Sequence, residues 1–131
     1  MKFLLDTHIW LWSLRDPARL ERRVTRALES QASELWLSPL SIWELILLAE
    51  KGRIPLPAPA EDWAVRALEL LPLKEAPVTF QVALATRHVH LPHRDPVDLF
   101  LAATARAFDL TLVTADEHLI RGKGFSVLAN R

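Results

Sequence analysis

Short apolar runs alternate along the chain with longer stretches in which apolar residues recur at helical spacing. The first run, Phe3-Leu4-Leu5, reads as a buried strand that stops abruptly at Asp6. Thr7 to Leu14 is apolar and helix-compatible, and Asp16-Pro17 breaks it. Glu21 to Ala32 places Val24, Leu28 and Ala32 on one face and Arg22, Arg23, Arg26 and Glu29 elsewhere, the pattern of an amphipathic helix with a solvated basic side. Leu35 to Leu37 is a short strand candidate. Ser38-Pro39 then supplies a cap and a first-turn proline for a helix predicted to run to about Lys51 and stop at Gly52.

Pro55, Pro57 and Pro59 make residues 54–60 an extended connection, too short for a domain linker. Glu61 to Leu71 repeats the helical pattern, with Trp63, Ala67, Leu70 and Leu71 on its apolar face, and Pro72 ends it. Thr79 suits the cap of another helix through about His88. The clearest helix opens at Arg94-Asp95-Pro96-Val97-Asp98: Asp95 fits the N-cap, Pro96 the first helical position, and Val97, Phe100, Leu101, Thr104, Ala105 and Phe108 the core face. Asp109 closes that helix. Thr111 to Thr114 forms a strand that meets Asp116 just past its end, and Phe125 to Leu128 supplies a last strand at an edge. Strands alternating with helices suit an α/β fold, one arrangement of which is parallel strands with helices between them.

Length and composition narrow the class. A chain of 131 residues with 50% hydrophobic content is long enough to bury a real core, and it is expected to form a single domain over residues 1–131. Lysine plus arginine number 16, as do aspartate plus glutamate, so the net charge is +0. No overall basic field draws the chain to nucleic acid, and any such contact must be local. With no cysteine there is no disulfide framework, thiol nucleophile or thiolate metal site. Asp6 interrupts the amino-terminal apolar run before a signal core can form, and no run approaches the roughly 20 residues of a membrane span. The expected location is the cytoplasm, with no membrane partner.

Four acids stand out against this background. Asp6 and Asp116 each follow a strand, and in parallel α/β sheets the carboxyl ends of the strands are where ligands bind. Asp6 followed by Thr7 is equally compatible with a helix cap. Glu44 is, with Ser41, the only polar residue between Leu40 and Ala49, and a carboxylate in so apolar a helix calls for a partner: an arginine, a metal or an acid cluster. Asp98 falls in the first turn of its helix, where the dipole favours an acid whatever its role. Asp95 is assigned mainly to capping and Asp98 mainly to a site.

If right-handed crossovers bring the strand ends to one edge, Asp6 and Asp116 meet there, and Glu44 and Asp98 can join them. Four clustered carboxylates demand protonation or hard cations, and oxygen ligands select Mg²⁺ or Mn²⁺. One or two such ions suit hydrolysis of a phosphodiester by activated water, with Thr114 and Thr7 as candidate orienting hydroxyls. His88, His90 and His93 invite a zinc reading, but the prolines at 92 and 96 indicate loop rather than a helical ligand face, so they are expected to line a rim. Trp10, Trp12, Trp43, Leu47 and Leu48 are candidates for an apolar contact surface.

The segments FLLDTHIWLW, SIWELILLAEKGRIPLP, HRDPVDLFLAATA and LTLVTADEHL resemble, in order and over nearly the whole chain, the PIN-domain ribonucleases, specifically the VapC-like toxins of type II toxin-antitoxin pairs. The resemblance implies a PIN-like three-layer α/β/α fold with a central, mainly parallel sheet of four to five short strands. It places the family's acidic quartet on Asp6, Glu44, Asp98 and Asp116, with Thr114 as polar helper. It further implies Mg²⁺-dependent (or Mn²⁺-dependent) endonucleolytic cleavage of RNA, a cognate antitoxin and a homodimer. Leu99 stands where close relatives carry arginine, which puts a basic contact in doubt and leaves the acids untouched. A receiver-like phosphoacceptor is disfavoured, because no second acid adjoins Asp6 and no lysine follows the late strand. A non-catalytic PIN-fold binding protein is the alternative.

Overall fold

The computed structural model describes residues 1–131. Five strands, β1 (Lys2–Leu5), β2 (Glu34–Leu37), β3 (Lys74–Glu75), β4 (Thr111–Thr114) and β5 (Ser126–Ala129), form one sheet in the order β3-β2-β1-β4-β5. Every pairing is parallel, with Leu4 opposite Trp36 on one side and Leu112 on the other. The chain winds outward from β1 to β2 and β3, then returns to lay β4 on the opposite flank of β1. Strand order therefore reverses between β1 and β4, and a crevice opens where the connections leave in opposite directions.

Alternation along the central strand divides the core. Phe3 and Leu5 pack with Ile9, Trp10, Val24 and Leu45 beneath α1 (Thr7–Arg15), α2 (Arg22–Glu29), α3 (Pro39–Glu50) and α4 (Ala60–Leu70). Leu4 points the other way, with Val82, Leu101, Leu112 and Leu119, beneath α5 (Phe80–Ala85), α6 (Pro96–Ala107) and α7 (Glu117–Ile120). The expected three-layer α/β/α arrangement is present, with the sheet wholly parallel.

The differences from the sequence reading have local causes. α2 ends at Glu29, where Ser30 turns extended, so Ala32 lies outside the helix and is exposed. β3 is only two residues long, too short to leave an apolar signature. The helix after Thr79 stops at Ala85 and tightens into a 3-10 turn over Thr86–His88. On α4 the buried residues are Ala64 and Ala67, while Leu70 is 75% exposed. α3 is not the buried helix its composition suggests: only Ser41 and Leu45 are buried, Glu44 is half-buried and Trp43 is half-exposed. Trp10 is fully buried and belongs to the core, not to a contact surface.

One close approach seats the loop that leads to α6. His90 and Lys123 form an antiparallel bridge, and Gly124 sits against the backbone of His88 at φ +96°. A Cβ at residue 124 would lie 2.1 Å from the His88 carbonyl oxygen. Gly124→Ala is therefore expected to cost more than about 1 kcal/mol, through both strain and clash. Urea denaturation measures it, and an unchanged midpoint would refute the account.

Candidate active site

Asp6 lies at the switch point because β1 ends there. Its backbone N–H continues the ladder to the Val113 carbonyl at 3.0 Å, and its side chain does two things at once. Oδ1 accepts from the Thr7 N–H at 2.8 Å, capping α1, while Oδ2 accepts from the Thr114 hydroxyl at 2.7 Å. Cap and cluster member are thus one residue using different oxygens. Thr114, the last residue of β4, is fully buried; its Oγ1 also accepts from the Asp116 N–H at 3.0 Å. It touches the crevice only through the two acids. Thr7 is also fully buried, has no hydrogen-bond partner for its hydroxyl, and does not line the crevice.

The crevice is a cavity of ≈ 420 Å³ whose walls include Asp6, Glu44, Asp95, Asp98 and Asp116. All four sequence-predicted acids are brought together, and Asp95 joins them. Asp95 does cap α6, accepting from the Val97 and Asp98 N–H groups through Oδ1 at 3.0 and 3.2 Å. Asp116 caps α7 by accepting from the His118 N–H at 2.8 Å. Helix N-caps supply three of the five acids and the first turn of α6 supplies a fourth, Asp98, so helix dipoles offset part of the crowding.

Two histidines were not distinguished by sequence as members of the site. His93 Nε2 lies 2.8 Å from Asp98 Oδ2, the imidazole of His118 stacks on that of His93 with centroids 4.2 Å apart, and His118 Nδ1 is 3.5 Å from Asp116 Oδ1. The pair bridges the acids of α6 and α7. Position alone signalled only proximity: His93 is five residues before Asp98 and His118 two after Asp116. His88, in the 3-10 turn, and His90, in the bridge to Lys123, join no such cluster.

Burial dominates the electrostatics. It pushes the Asp6 carboxyl up to about 6, against the hydrogen bonds from Thr114 and Thr7, with Glu44 adding repulsion. It pushes Asp98 up to about 7, against the bond to His93, with Asp95, Asp6 and Asp116 adding to the rise. Ligand atoms of His93, Asp95 and Asp98 all lie within 4.8 Å of one another. Acids converging from several elements, with one oxygen each of Asp95, Asp98 and Asp116 accepting no hydrogen bond, form a donor set suited to a hard divalent cation. No helix is long and apolar enough to cross a membrane.

Comparison with known proteins agrees with this architecture. The family model described as PIN domain matches residues 3–124. The chain belongs to the PIN-domain family. Ribonuclease VapC22 of Mycobacterium tuberculosis is 35% identical over 119 residues, covering 88% of each chain. Among solved structures, VapBC2 from Rickettsia felis bound to a promoter DNA fragment superposes with a TM-score of 0.73 at 16% identity, over 98% of both chains. DNA-bound VapBC from Salmonella typhimurium gives 0.70 at 22% identity, over 100% and 99%. At these identities the two structures speak to the fold, and this PIN fold places its acids at the β1/β4 switch point.

An acid whose pKa is raised on folding makes the folded state hold its proton longer, so ionising it costs stability. With metal removed, the protein is expected to lose stability as pH rises from about 4 to about 7 and to level off above that window. Asp6→Asn removes one such charge; for a rise of about two units the gain at pH 8 is on the order of 3 kcal/mol, and it vanishes near pH 4. Melts in EDTA at both pH values check this. A variant less stable than the parent at pH 8 would show that Asp6 is ionised without strain.

Proposed function

We propose that this chain, as a single domain over residues 1–131, is a divalent-metal-dependent endoribonuclease acting as the toxin of a toxin-antitoxin pair. The observation that carries the reading is the convergence of Asp6, Glu44, Asp98 and Asp116 on one crevice of a PIN fold that is 35% identical to a ribonuclease. These four residues would hold Mg²⁺ or Mn²⁺, and the ion when bound would polarise the phosphate and lower the pKa of water.

The chain's own contribution is position. Thr114 holds Asp6 and the Asp116 backbone by opposite roles of one hydroxyl, donating to the first and accepting from the second. Thr114 is therefore a positioning residue. His93 holds one oxygen of Asp98, leaving the other free to face the crevice, an arrangement that fixes a ligand's direction. Asp95, bonded to the α6 amino terminus through one oxygen, keeps its other oxygen available beside Asp98.

Exposed apolar side chains support the expected protein partners. Trp43 on α3, with Val65, Leu68 and Leu70 on α4, is exposed on one side of the sheet, and Phe80 and Leu84 of α5 on the other. A cognate antitoxin and a second copy of the chain are the proposed occupants.

Purified protein is expected to cut RNA with Mg²⁺ or Mn²⁺ and to be silent in EDTA. Asp98→Asn should lower cleavage by roughly two orders of magnitude or more while remaining folded, since asparagine is tolerated in the first turn. Full activity in that variant would remove Asp98 from the chemistry. A readout independent of turnover is the melt: ligand at 100-fold its Kd stabilises by about 2.7 kcal/mol, so the parent should melt higher in Mg²⁺ and Asp6→Asn should gain much less. A parent indifferent to millimolar Mg²⁺ would count against the quartet as a metal site.

A further inference from the structure

The acids that serve cleavage also repel the substrate. A phosphodiester strand approaching five carboxylates in a chain of net charge +0 needs cations placed close to the crevice, not spread over the surface. The structure has such a group. A second cavity, of ≈ 480 Å³, adjoins the acidic one and shares three wall residues with it, His8, Trp12 and Arg19. It continues along Arg15, Asp16 and Arg53, so three arginines face one acid. None of these arginines is in an ion pair, and all three are exposed.

The wall between the two cavities is π-rich. The Arg19 guanidinium lies over the Trp12 ring at 4.1 Å, and the His8 ring is 5.8 Å from Trp12 at an interplanar angle of 54°. A guanidinium stacked on indole keeps its N–H edge free for phosphate, and flat π surfaces accept unpaired bases. Arg15 donates to the Pro55 carbonyl, which ties the end of α1 to the loop that carries Arg53. The cations are therefore arranged on a partly braced wall. An apolar peptide would gain little from three uncompensated guanidinium groups, whereas a single-stranded polyanion would gain a contact at each.

We propose that this groove is the binding track for single-stranded RNA leading to the acidic crevice, with Arg15, Arg19 and Arg53 contacting backbone phosphates on one side of the cleavage point and Trp12 with His8 receiving a base. The assignment rests on the ribonuclease reading. It adds a polarity to it: the strand enters over α1 and the 53–55 loop, and it is held there whether or not the acids are loaded.

The test is a titration of a fluorescently labelled short single-stranded RNA by anisotropy, in EDTA and in Mg²⁺, across a salt series. The proteins are the parent, Arg15→Gln/Arg53→Gln, the charge-keeping Arg15→Lys/Arg53→Lys, and Arg66→Gln on the exposed face of α4 as a control. The neutral double variant is expected to bind about 10-fold more weakly near physiological salt, with its log K against log salt slope smaller by about 1.4, or about 0.7 per lost contact. The lysine double should recover most of the slope, and Arg66→Gln should match the parent. Equal affinity and slope in parent and neutral double variant would overturn the track while leaving the ribonuclease reading intact. A parent that binds and cuts no RNA would overturn both. A neutral double variant that keeps its RNA affinity but no longer binds the cognate antitoxin would assign the groove to a protein and also overturn the proposal.

Discussion

One buried hydroxyl joins the two halves of the molecule. Thr114 Oγ1 donates to Asp6 and accepts from the Asp116 N–H, so the ends of β1 and β4 are coupled through a side chain as well as through the ladder. The two strands lie side by side only because the chain returns across β1 after building the other flank of the sheet. Without that return the acids 110 positions apart in sequence would not share a crevice, and without the hydroxyl the Asp6 carboxylate would lose its one buried side-chain donor. A buried acceptor left unsatisfied costs about 1–3 kcal/mol, more when charged.

The crevice is a place where the fold accepts local instability. Desolvation lifts Asp6 and Asp98 well above the ordinary carboxylate range, and mutual repulsion adds to it. Three devices limit the cost: helix amino termini at Asp6, Asp95 and Asp116, hydrogen bonds to single oxygens, and the stacked imidazoles of His93 and His118. At Asp95, Asp98 and Asp116 these contacts engage one oxygen and leave the other free, whereas Asp6 accepts a hydrogen bond on each of its two oxygens. Capping and ligation are thus compatible uses of the same residue, which is why a sequence signal for one does not count against the other.

Charge is distributed to suit this arrangement. A neutral total conceals an acidic crevice flanked by an arginine-lined groove, with Arg19 on the boundary of both. Because screening at physiological salt acts over about 8 Å, neighbouring patches of opposite sign remain locally distinct, and net charge says little about what a surface can hold.

Much of this was written in local pattern. The apolar run Phe3-Leu4-Leu5 stopping at Asp6, the Ser38-Pro39 and Asp95-Pro96 helix starts, and the strand ahead of Asp116 depend on neighbours in sequence, so their chemistry was readable without coordinates. The mainly parallel sheet was implied by the resemblance of four segments to the PIN-domain family, not by the strand pattern itself. What tertiary structure alone decided was exposure and company. Glu44 sits in an apolar helix, yet only Ser41 and Leu45 of α3 are buried, and Glu44 itself is half-buried on the crevice wall. Trp10 and Trp12 differ by two positions, which on a helix is more than half a turn, so one is core and the other a groove wall. His93 and His118 lie 25 positions apart, and the stack between them exists only because the segment before α6 meets the first turn of α7. Such long-range pairs leave no periodic trace, since nothing in the local backbone requires them.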